Sequence, residues 1–255
     1  MNDLFQTGVA DNTNVSFERS GKDFSSRISL SNMNIKGVNP NSGAIRRYAN
    51  IKTAFTPLKN LRVSFDYKYT YKKNHNAATE GYGTESNNPY SDLLQWGQTN
   101  VNLKQYKNYT RPDGSFRTWN IKDYNDFTPA FHDSPYAVYN EINNTNTREF
   151  HVLAGDIEYS LPYNIKVGFK TTANLYNFYQ LYNRAGLTGQ TDIHKQWQRK
   201  SYDVYNQGRI TWDDKFINDR LSAQAASYSE NRNLHSGQIE GCPPRGGLST
   251  CWRCP

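Results

Sequence analysis

The feature that most constrains this chain is a long, strict alternation of residue types in residues 60–73, NLRVSFDYKYTYKK. Successive side chains of a β-strand point to opposite faces of its sheet. A tilted strand needs ~9–11 residues to cross a bilayer, and this run is long enough to do so. One face is wholly apolar or aromatic, and we predict that it contacts lipid; its residues are Leu61, Val63, Phe65, Tyr67, Tyr69 and Tyr71.

The three tyrosines at the end of this run support a membrane location. Tyrosine is enriched where a membrane meets water, because its ring can lie in lipid while its hydroxyl reaches water. The opposite face carries Arg62, Asp66 and Lys68 and is predicted to face a solvated lumen.

Similar runs recur along the chain, and the connections between them alternate in length. The predicted strands cover residues 12–20, 24–35, 48–56, 60–73, 148–161, 165–176, 201–212 and 220–230. The predicted short turns are 21–23, 57–60, 161–164 and 213–219, and the predicted long connections are 35–47, 73–147 and 177–200. Short periplasmic turns at one rim and long extracellular loops at the other are typical of outer-membrane barrels.

The fold class predicted from this pattern is all-β, an antiparallel transmembrane β-barrel segment of about eight strands. Residues 1–241 form the barrel part, with the long extracellular loop at 73–147, and residues 242–255 form a separate cysteine-rich tail. No convincing helical period occurs.

Bulk composition excludes several other classes of protein. Only 36% of residues are hydrophobic, and mean hydropathy is −0.89. No run of eighteen apolar residues occurs, so no transmembrane helix is expected. Aromatic residues reach 14%, which argues against disorder. The net charge is +7, but lysine and arginine are scattered rather than clustered, so we expect no nucleic-acid partner.

Catalytic and metal-binding patterns are not found, so we expect no enzyme activity, no cofactor and no metal site. The histidines are far apart, and neither H-E-x-x-H nor G-x-S-x-G occurs. All three cysteines, Cys242, Cys251 and Cys254, lie in the tail. We expect the tail to result from truncation or a frameshift; a disulfide, or a zinc site with His235 as a fourth ligand, remains open.

The longest connection is rich in aromatic residues. They either contact substrate or a partner protein or form a small core within the loop itself, since a loop of this length must bury something to stay ordered. The candidate contact residues are Trp96, Tyr106, Tyr109, Phe116, Trp119 and Tyr124.

An ordered series of short motifs resembles the SusC/RagA-type TonB-linked outer-membrane receptors, at the start of their barrel. The motifs are F-x-T-G at 5–8, N-x-N-V-S at 12–16, G-V-N-P-N-S at 37–42, R-Y at 47–48, the strand at 61–71, NRNLHSGQIEG, and GGLST at 246–250. They extend over nearly the whole chain.

This resemblance implies a fragment of an active importer with a plugged barrel of about twenty-two strands. It implies outer-membrane lipid, a SusD-like lipoprotein and TonB as partners, TonB acting through parts that this sequence does not include. The implied substrate is a glycan or a peptide. No signal peptide, TonB box or plug is recognised, so this piece alone is not expected to transport.

Two alternatives stay open at the level of sequence. One is a soluble, secreted β-rich carbohydrate-binding module. The other is a complete eight-stranded outer-membrane barrel, which the C-terminal sequence CWRCP disfavours because such a barrel is expected to end on an aromatic strand residue. The location expected from the leading interpretation is the cell outer membrane.

Overall fold

One antiparallel sheet of eight strands, in the order β1 to β8, dominates the fold. The computed structural model describes residues 4–76, 89–184, 187, 193–216 and 221–241. The strands are β1 (Val9–Ser20), β2 (Phe24–Lys36), β3 (Gly43–Leu58), β4 (Leu61–His75), β5 (Ile142–Ser160), β6 (Ile165–Arg184), β7 (Ile193–Phe216) and β8 (Leu221–Gly241). The all-β, antiparallel prediction is confirmed.

Among the described residues between β4 and β5, three short segments are helical. They are α1 (Pro89–Trp96), a 3₁₀ helix (Leu103–Tyr106) and α2 (Pro135–Glu141). Across the described ranges, no helix combines the length and the apolar character that spanning a membrane would require.

The strands extend beyond the predicted limits at the rim of the long connections. β4 continues to His75 and β5 begins at Ile142, so the predicted loop 73–147 shrinks to 76–141. The predicted loop 177–200 likewise loses residues at both ends, because β6 continues to Arg184 and β7 begins at Ile193. The added segments are polar on both sides, for example Asn143–Asn146, so they lack the apolar alternation on which the prediction rested.

The predicted arrangement of the two rims is confirmed by the strand order. Each strand pairs with its successor along the chain, so the short turns share one rim and the long connections the other. At one short turn Tyr163 and Asn164 both have positive φ, of 64° and 59°, and the Leu161 N–H donates to the Ile165 carbonyl at 2.8 Å. The two consecutive residues with positive φ reverse the chain within this short connection, so that Ser160 pairs with Lys166.

The sheet is open, because β1 and β8 are not paired with each other over the described residues. An unpaired edge within a bilayer would leave backbone polar groups unsatisfied. This disagrees with the alternative of a complete eight-stranded barrel.

Buried residues are concentrated outside the sheet. The fully buried side chains include Leu4, Tyr139 and Ile142, and they lie around α2 and the long connection. No second layer packs on the strands in the part of the chain that is described. The sheet therefore behaves as a wall with two accessible faces.

Candidate functional site

The two faces of the sheet differ sharply in chemistry. The register places Phe65 beside Thr53 and Gly155, and Tyr67 beside Ile51 and Leu153, so neighbouring strands share their faces. All six predicted lipid-facing residues of β4 therefore lie on one face, which we call the apolar face. The other face, with Asp66 and Lys68, is the polar face.

The apolar face carries a continuous band of large hydrophobic side chains across β1 to β7. On β6 the band runs from Ile165 to Leu175, close to the ~9–11 residues of a membrane-crossing strand. Phe17 is 62% exposed and Ile210 is 55% exposed, so nothing in the described chain covers the band. The apolar band includes Val15, Phe17, Ile28, Leu30, Ile51, Phe55, Val63, Phe65, Leu153, Ile157, Val167, Phe169, Leu175 and Ile210.

Aromatic side chains lie at both margins of the apolar band. Tyr159 and Trp212 lie near the short-turn rim, and Tyr69 and Tyr202 lie toward the long-connection rim. Aromatic girdles at the two levels where hydrocarbon meets water are a feature of membrane barrels. Two separated girdles are therefore consistent with a bilayer between them.

The last strand does not continue the apolar band. Its residues on the apolar face include Ser227, Ser229, Asn231 and Asn233, all of them polar and exposed. The band consequently ends at β7, a boundary that the short predicted strand 220–230 did not reveal.

The polar face holds ion pairs within and between strands. Arg209 donates to Asp156 Oδ2 at 2.6 Å, to Asp156 Oδ1 at 2.9 Å and to Glu158 Oε2 at 2.8 Å. Lys52 and Lys68 both lie 3.7 Å from Asp66 Oδ2. A face held by such pairs is solvated or meets another polar surface, as expected for a barrel lumen.

A depression of about 430 Å³ lies on this polar face near the short-turn rim. Its charged lining residues are Glu18, Arg27, Lys52, Arg62, Asp66, Asp156 and Lys170, in which cations exceed carboxylates. The lining is suited to a polar or anionic surface rather than to an apolar ligand.

The long connection folds into a small subdomain with its own core. One cluster joins Leu4, Leu93, Leu103, Tyr136 and Tyr139. A second cluster joins Ala137, Val138, Ile142 and Leu187, with Tyr182 packed against it. Ile142 and Tyr182 belong to the polar face of the sheet, so the subdomain is attached on that side of the rim.

An asparagine cluster fixes this subdomain to the strand ends. The Tyr139 carbonyl accepts hydrogen bonds from Asn41 Nδ2 at 3.1 Å and from Asn76 Nδ2 at 3.3 Å. Asn76 also exchanges bonds with Asn144, through its backbone N–H at 2.9 Å and its side-chain oxygen at 2.8 Å. Asn41 and Asn76 have positive φ, a conformation that asparagine tolerates better than most residues.

The six aromatic residues predicted as contacts divide into two groups. Tyr106, Tyr109 and Phe116 pack against the clusters just described, so they serve the internal core that was the alternative prediction. Trp96 and Tyr124 are 54% and 78% exposed, and Trp119 is half-buried. Trp96 and Tyr124 therefore lie at the surface of the subdomain.

Sequence reasoning missed the histidine that joins two of these rings. His132 stacks against Trp96 at 6.2 Å and against Trp119 at 5.9 Å between ring centroids, with interplanar angles of 24° and 7°. Phe131, beside His132, is 79% exposed. Spacing in sequence could not reveal this stack, because Trp96 is far from both other residues along the chain.

Tyr109, one of the three aromatic residues that pack against the two clusters, also forms a side-chain hydrogen bond. Its hydroxyl donates to Glu141 Oε1 at 2.8 Å. Burial, this hydrogen bond and the charge of Glu141 together raise the pKa of Tyr109 to about 12. The neutral form of the tyrosine is therefore the one that the fold favours.

Tyr109 is expected to titrate near pH 12 rather than near its ordinary value of about 10. Because the pKa is raised on folding, the stabilisation by this group is fully present below pH 10 and is lost as the pH rises through 12. The tyrosinate absorbance of the Tyr109→Phe variant, subtracted from that of the unmodified protein, isolates this group. A difference curve with its midpoint near pH 10 would contradict the assignment.

No cluster of three or more His, Cys, Asp or Glu side chains capable of holding a metal ion occurs among the described residues. The predictions for Cys242, Cys251 and Cys254 concern positions outside the described residues.

The sheet is a single antiparallel layer with an apolar band on one face, charges on the other and connections of alternating length. These features are consistent with a segment of a β-barrel wall. A comparison with solved structures finds the same fold in a structure of the RagAB peptide transporter, with a TM-score of 0.66 and 12% sequence identity over 94% of this chain. The RagAB peptide importer in its 'open-open' state gives TM-score 0.69 and 12% identity, again over 94% of this chain. Its 'closed-closed' state gives TM-score 0.54, 11% identity and 94% coverage of this chain.

The chain spans about a quarter of the first two of these relatives, 26% of each, and 30% of the third. At such low identity the similarity shows the fold alone. No protein-family model matches the sequence, and no curated protein matches it either.

Proposed function

We propose that this chain forms part of the barrel wall of a TonB-dependent nutrient importer of the SusC/RagA type in the cell outer membrane. The observation that carries the proposal is the uncovered apolar band, which crosses seven strands and is bounded by aromatic residues. A soluble protein rarely exposes an apolar surface of this extent. Lipid is the solvent that such a band requires.

The cargo that we propose is a glycan or a peptide, moved through the lumen rather than chemically changed. The resemblance of the sequence motifs to SusC/RagA receptors supports both cargo classes, and the fold similarity to a peptide transporter supports import. The rings of Trp96, Trp119 and Tyr124 are our candidates for contact with the cargo or with a SusD-like lipoprotein. They lie at the rim of the long connections, which is the extracellular rim in this proposal.

The energy source proposed is TonB, acting through parts of the receptor that this chain does not include. The polar face offers a charged depression of about 430 Å³ rather than a closed ligand pocket, as expected for the wall of a lumen. The wall then encloses the path while other parts gate it.

The isolated 255-residue chain is expected to aggregate in buffer without detergent. Its apolar band and the two unpaired strand edges would associate with other copies. Size-exclusion chromatography with and without a mild detergent measures this. A monodisperse, cooperatively unfolding monomer in plain buffer would instead support the soluble carbohydrate-binding module.

A transport assay complements this measurement. The chain, expressed behind a signal peptide in a strain that lacks the complete receptor, is expected to restore no TonB-dependent growth on the receptor's cargo. Growth restored by this piece alone would show that it is a self-sufficient transporter.

A further inference from the structure

Directly beyond the apolar band, on the same face, lies a cavity of about 690 Å³ at the long-connection rim. The residues of its lining that matter here are Val9, Asp11, Lys36, Ile45, Lys73 and His75. The register aligns Lys36 with Gly43 and His75 across β2, β3 and β4, and aligns Ile45 with Lys73. Because Gly43 has no side chain, the space between Lys36 and His75 stays open.

Three cations lie on successive rows of this part of the apolar face. Lys36 and Lys73 line the cavity, and Arg47 lies next to it, on β3. Arg47 is oriented by its Nε donating to Asn32 Oδ1 at 3.3 Å and by its guanidinium lying 5.7 Å from the centre of the Tyr71 ring. Within the described part of the chain, none of the three cations forms an ion pair.

Two carboxylates flank the cations without pairing with them. Asp11 lies on β1 at one side of the cavity, and Glu149 lies on β5 beside Tyr71 at the other. The central strands β2, β3 and β4 consequently present the excess positive charge. His75 forms a wall of the cavity and is held by hydrogen bonds to Thr145 and Asn41, at 3.0 and 3.1 Å.

The cations lie immediately beyond the hydrophobic surface. Arg47 is two residues from Ala49, about 7 Å along the strand, and Ala49 shares a row of the sheet with Leu30 and Tyr69. A ligand that fits must therefore be anionic at one end and apolar at the other. Interfacial lysine and arginine attract anionic lipid headgroups.

We propose that this rim cavity binds the phosphate of a lipid of the outer leaflet, with Lys36, Arg47 and Lys73 as its contacts. The acyl chains lie along Leu30, Ala49 and the apolar band below. This proposal rests on the proposed function, because it requires the apolar face to be in the membrane with the long connections outside.

The chain provides a closely matched control for testing this site. Arg46 and Lys72 carry the same charges as Arg47 and Lys73, on the same two strands and one residue away, but they lie on the polar face. The test pair is Arg47→Gln with Lys73→Gln, and the control pair is Arg46→Gln with Lys72→Gln. Both pairs remove two positive charges from the same two strands.

The experiment titrates the complete detergent-purified receptor with lipid A, with dephosphorylated lipid A and with inorganic phosphate, and native mass spectrometry counts bound lipid. The test pair is expected to weaken lipid A binding about tenfold to thirtyfold, since each cation near a membrane surface contributes about one kilocalorie per mole. The control pair is expected to change it less than twofold. Dephosphorylated lipid A is expected to bind weakly to all forms.

Several results would overturn this inference. If the test pair and the control pair weakened lipid A binding equally, the effect would come from overall charge and not from this site. If lipid A and dephosphorylated lipid A bound equally well, the phosphate would not be the group recognised. Displacement of lipid A by millimolar inorganic phosphate would make the site one for a free anion. A chain that is soluble without detergent would contradict the proposed function itself, whereas a detergent-requiring receptor with unselective lipid binding would contradict only this site.

Discussion

Replacing Phe65 by arginine is expected to lower the free energy of unfolding in a lipid or detergent environment by about 2–4 kcal/mol. Phe65 lies in the middle of the apolar band and is 44% exposed in the uncovered sheet. A charge at this depth would be moved into hydrocarbon on folding. Denaturant titration of the complete receptor in micelles, followed by tryptophan fluorescence, measures the loss.

The control for this prediction is Ser64→Arg, one residue away on the polar face. Ser64 pairs with Asp156 on β5, so an arginine there meets a carboxylate and water instead of lipid. We expect its effect to stay within about 0.5 kcal/mol, as for ordinary surface substitutions. Equal losses for the two variants would mean that both faces are packed against protein.

The central part of each strand could be predicted from sequence because two different solvents act on its two faces. In β4 apolar and polar residues alternate from Leu61 to Tyr71, as expected for a strand with lipid on one side and a polar environment on the other. The register confirms that these residues share a face. Where a sheet separates two such environments, apolar and polar residues alternate along the strand with a period of two.

The strand ends could not be predicted, because beyond the apolar band neither face is expected to contact lipid and the polar face packs against the long connection. Residues 177–184 continue β6, yet they mix Asn, Tyr and Gln without a period. Backbone pairing with β5 and β7 keeps them extended. Only the neighbouring strands, and not the side chains themselves, specify this extension.

The aromatic residues of the long connection could be predicted only as a group. Composition indicated that some would form an internal core, but it could not assign Tyr109 to the core and Trp96 to the surface. That assignment depends on non-local contacts, such as the packing of Leu4 against Tyr139. The asparagine cluster around the Tyr139 carbonyl is likewise invisible in sequence, since it joins Asn41 to Asn76 across two connections.

The ion-pair network of the polar face depends on a glycine that sequence alone gives no reason to notice. Arg209 lies on β7 and its partner Glu158 on β5, with Gly168 between them on β6. A Cβ atom at Gly168 would lie 2.7 Å from Arg209 Nε and 2.8 Å from its guanidinium carbon. The missing side chain therefore lets the guanidinium pass over β6 and join β7 to β5.

Gly168→Val is expected to destabilise the receptor by about 1–3 kcal/mol, because the valine would displace Arg209 from two carboxylates that are about one-quarter exposed. Gly208→Val is the control, since a Cβ there meets nothing within 4 Å and lies on the apolar face next to Phe169. Gly208→Val changes the backbone entropy of the unfolded chain as Gly168→Val does, so we expect it to leave the free energy of unfolding unchanged or to raise it. Denaturant titration in micelles compares the two variants.

A double-mutant cycle with Arg209→Ala separates the network from local crowding. Arg209→Ala alone is expected to cost about 1.5–3 kcal/mol, since it leaves Asp156 and Glu158 without their shared donor. If the glycine acts by making room for the guanidinium, adding Gly168→Val to that variant should cost less than about 0.5 kcal/mol more. Additive losses would show that the valine disturbs the backbone of β6 itself and that the glycine has no specific role in the ion pairs.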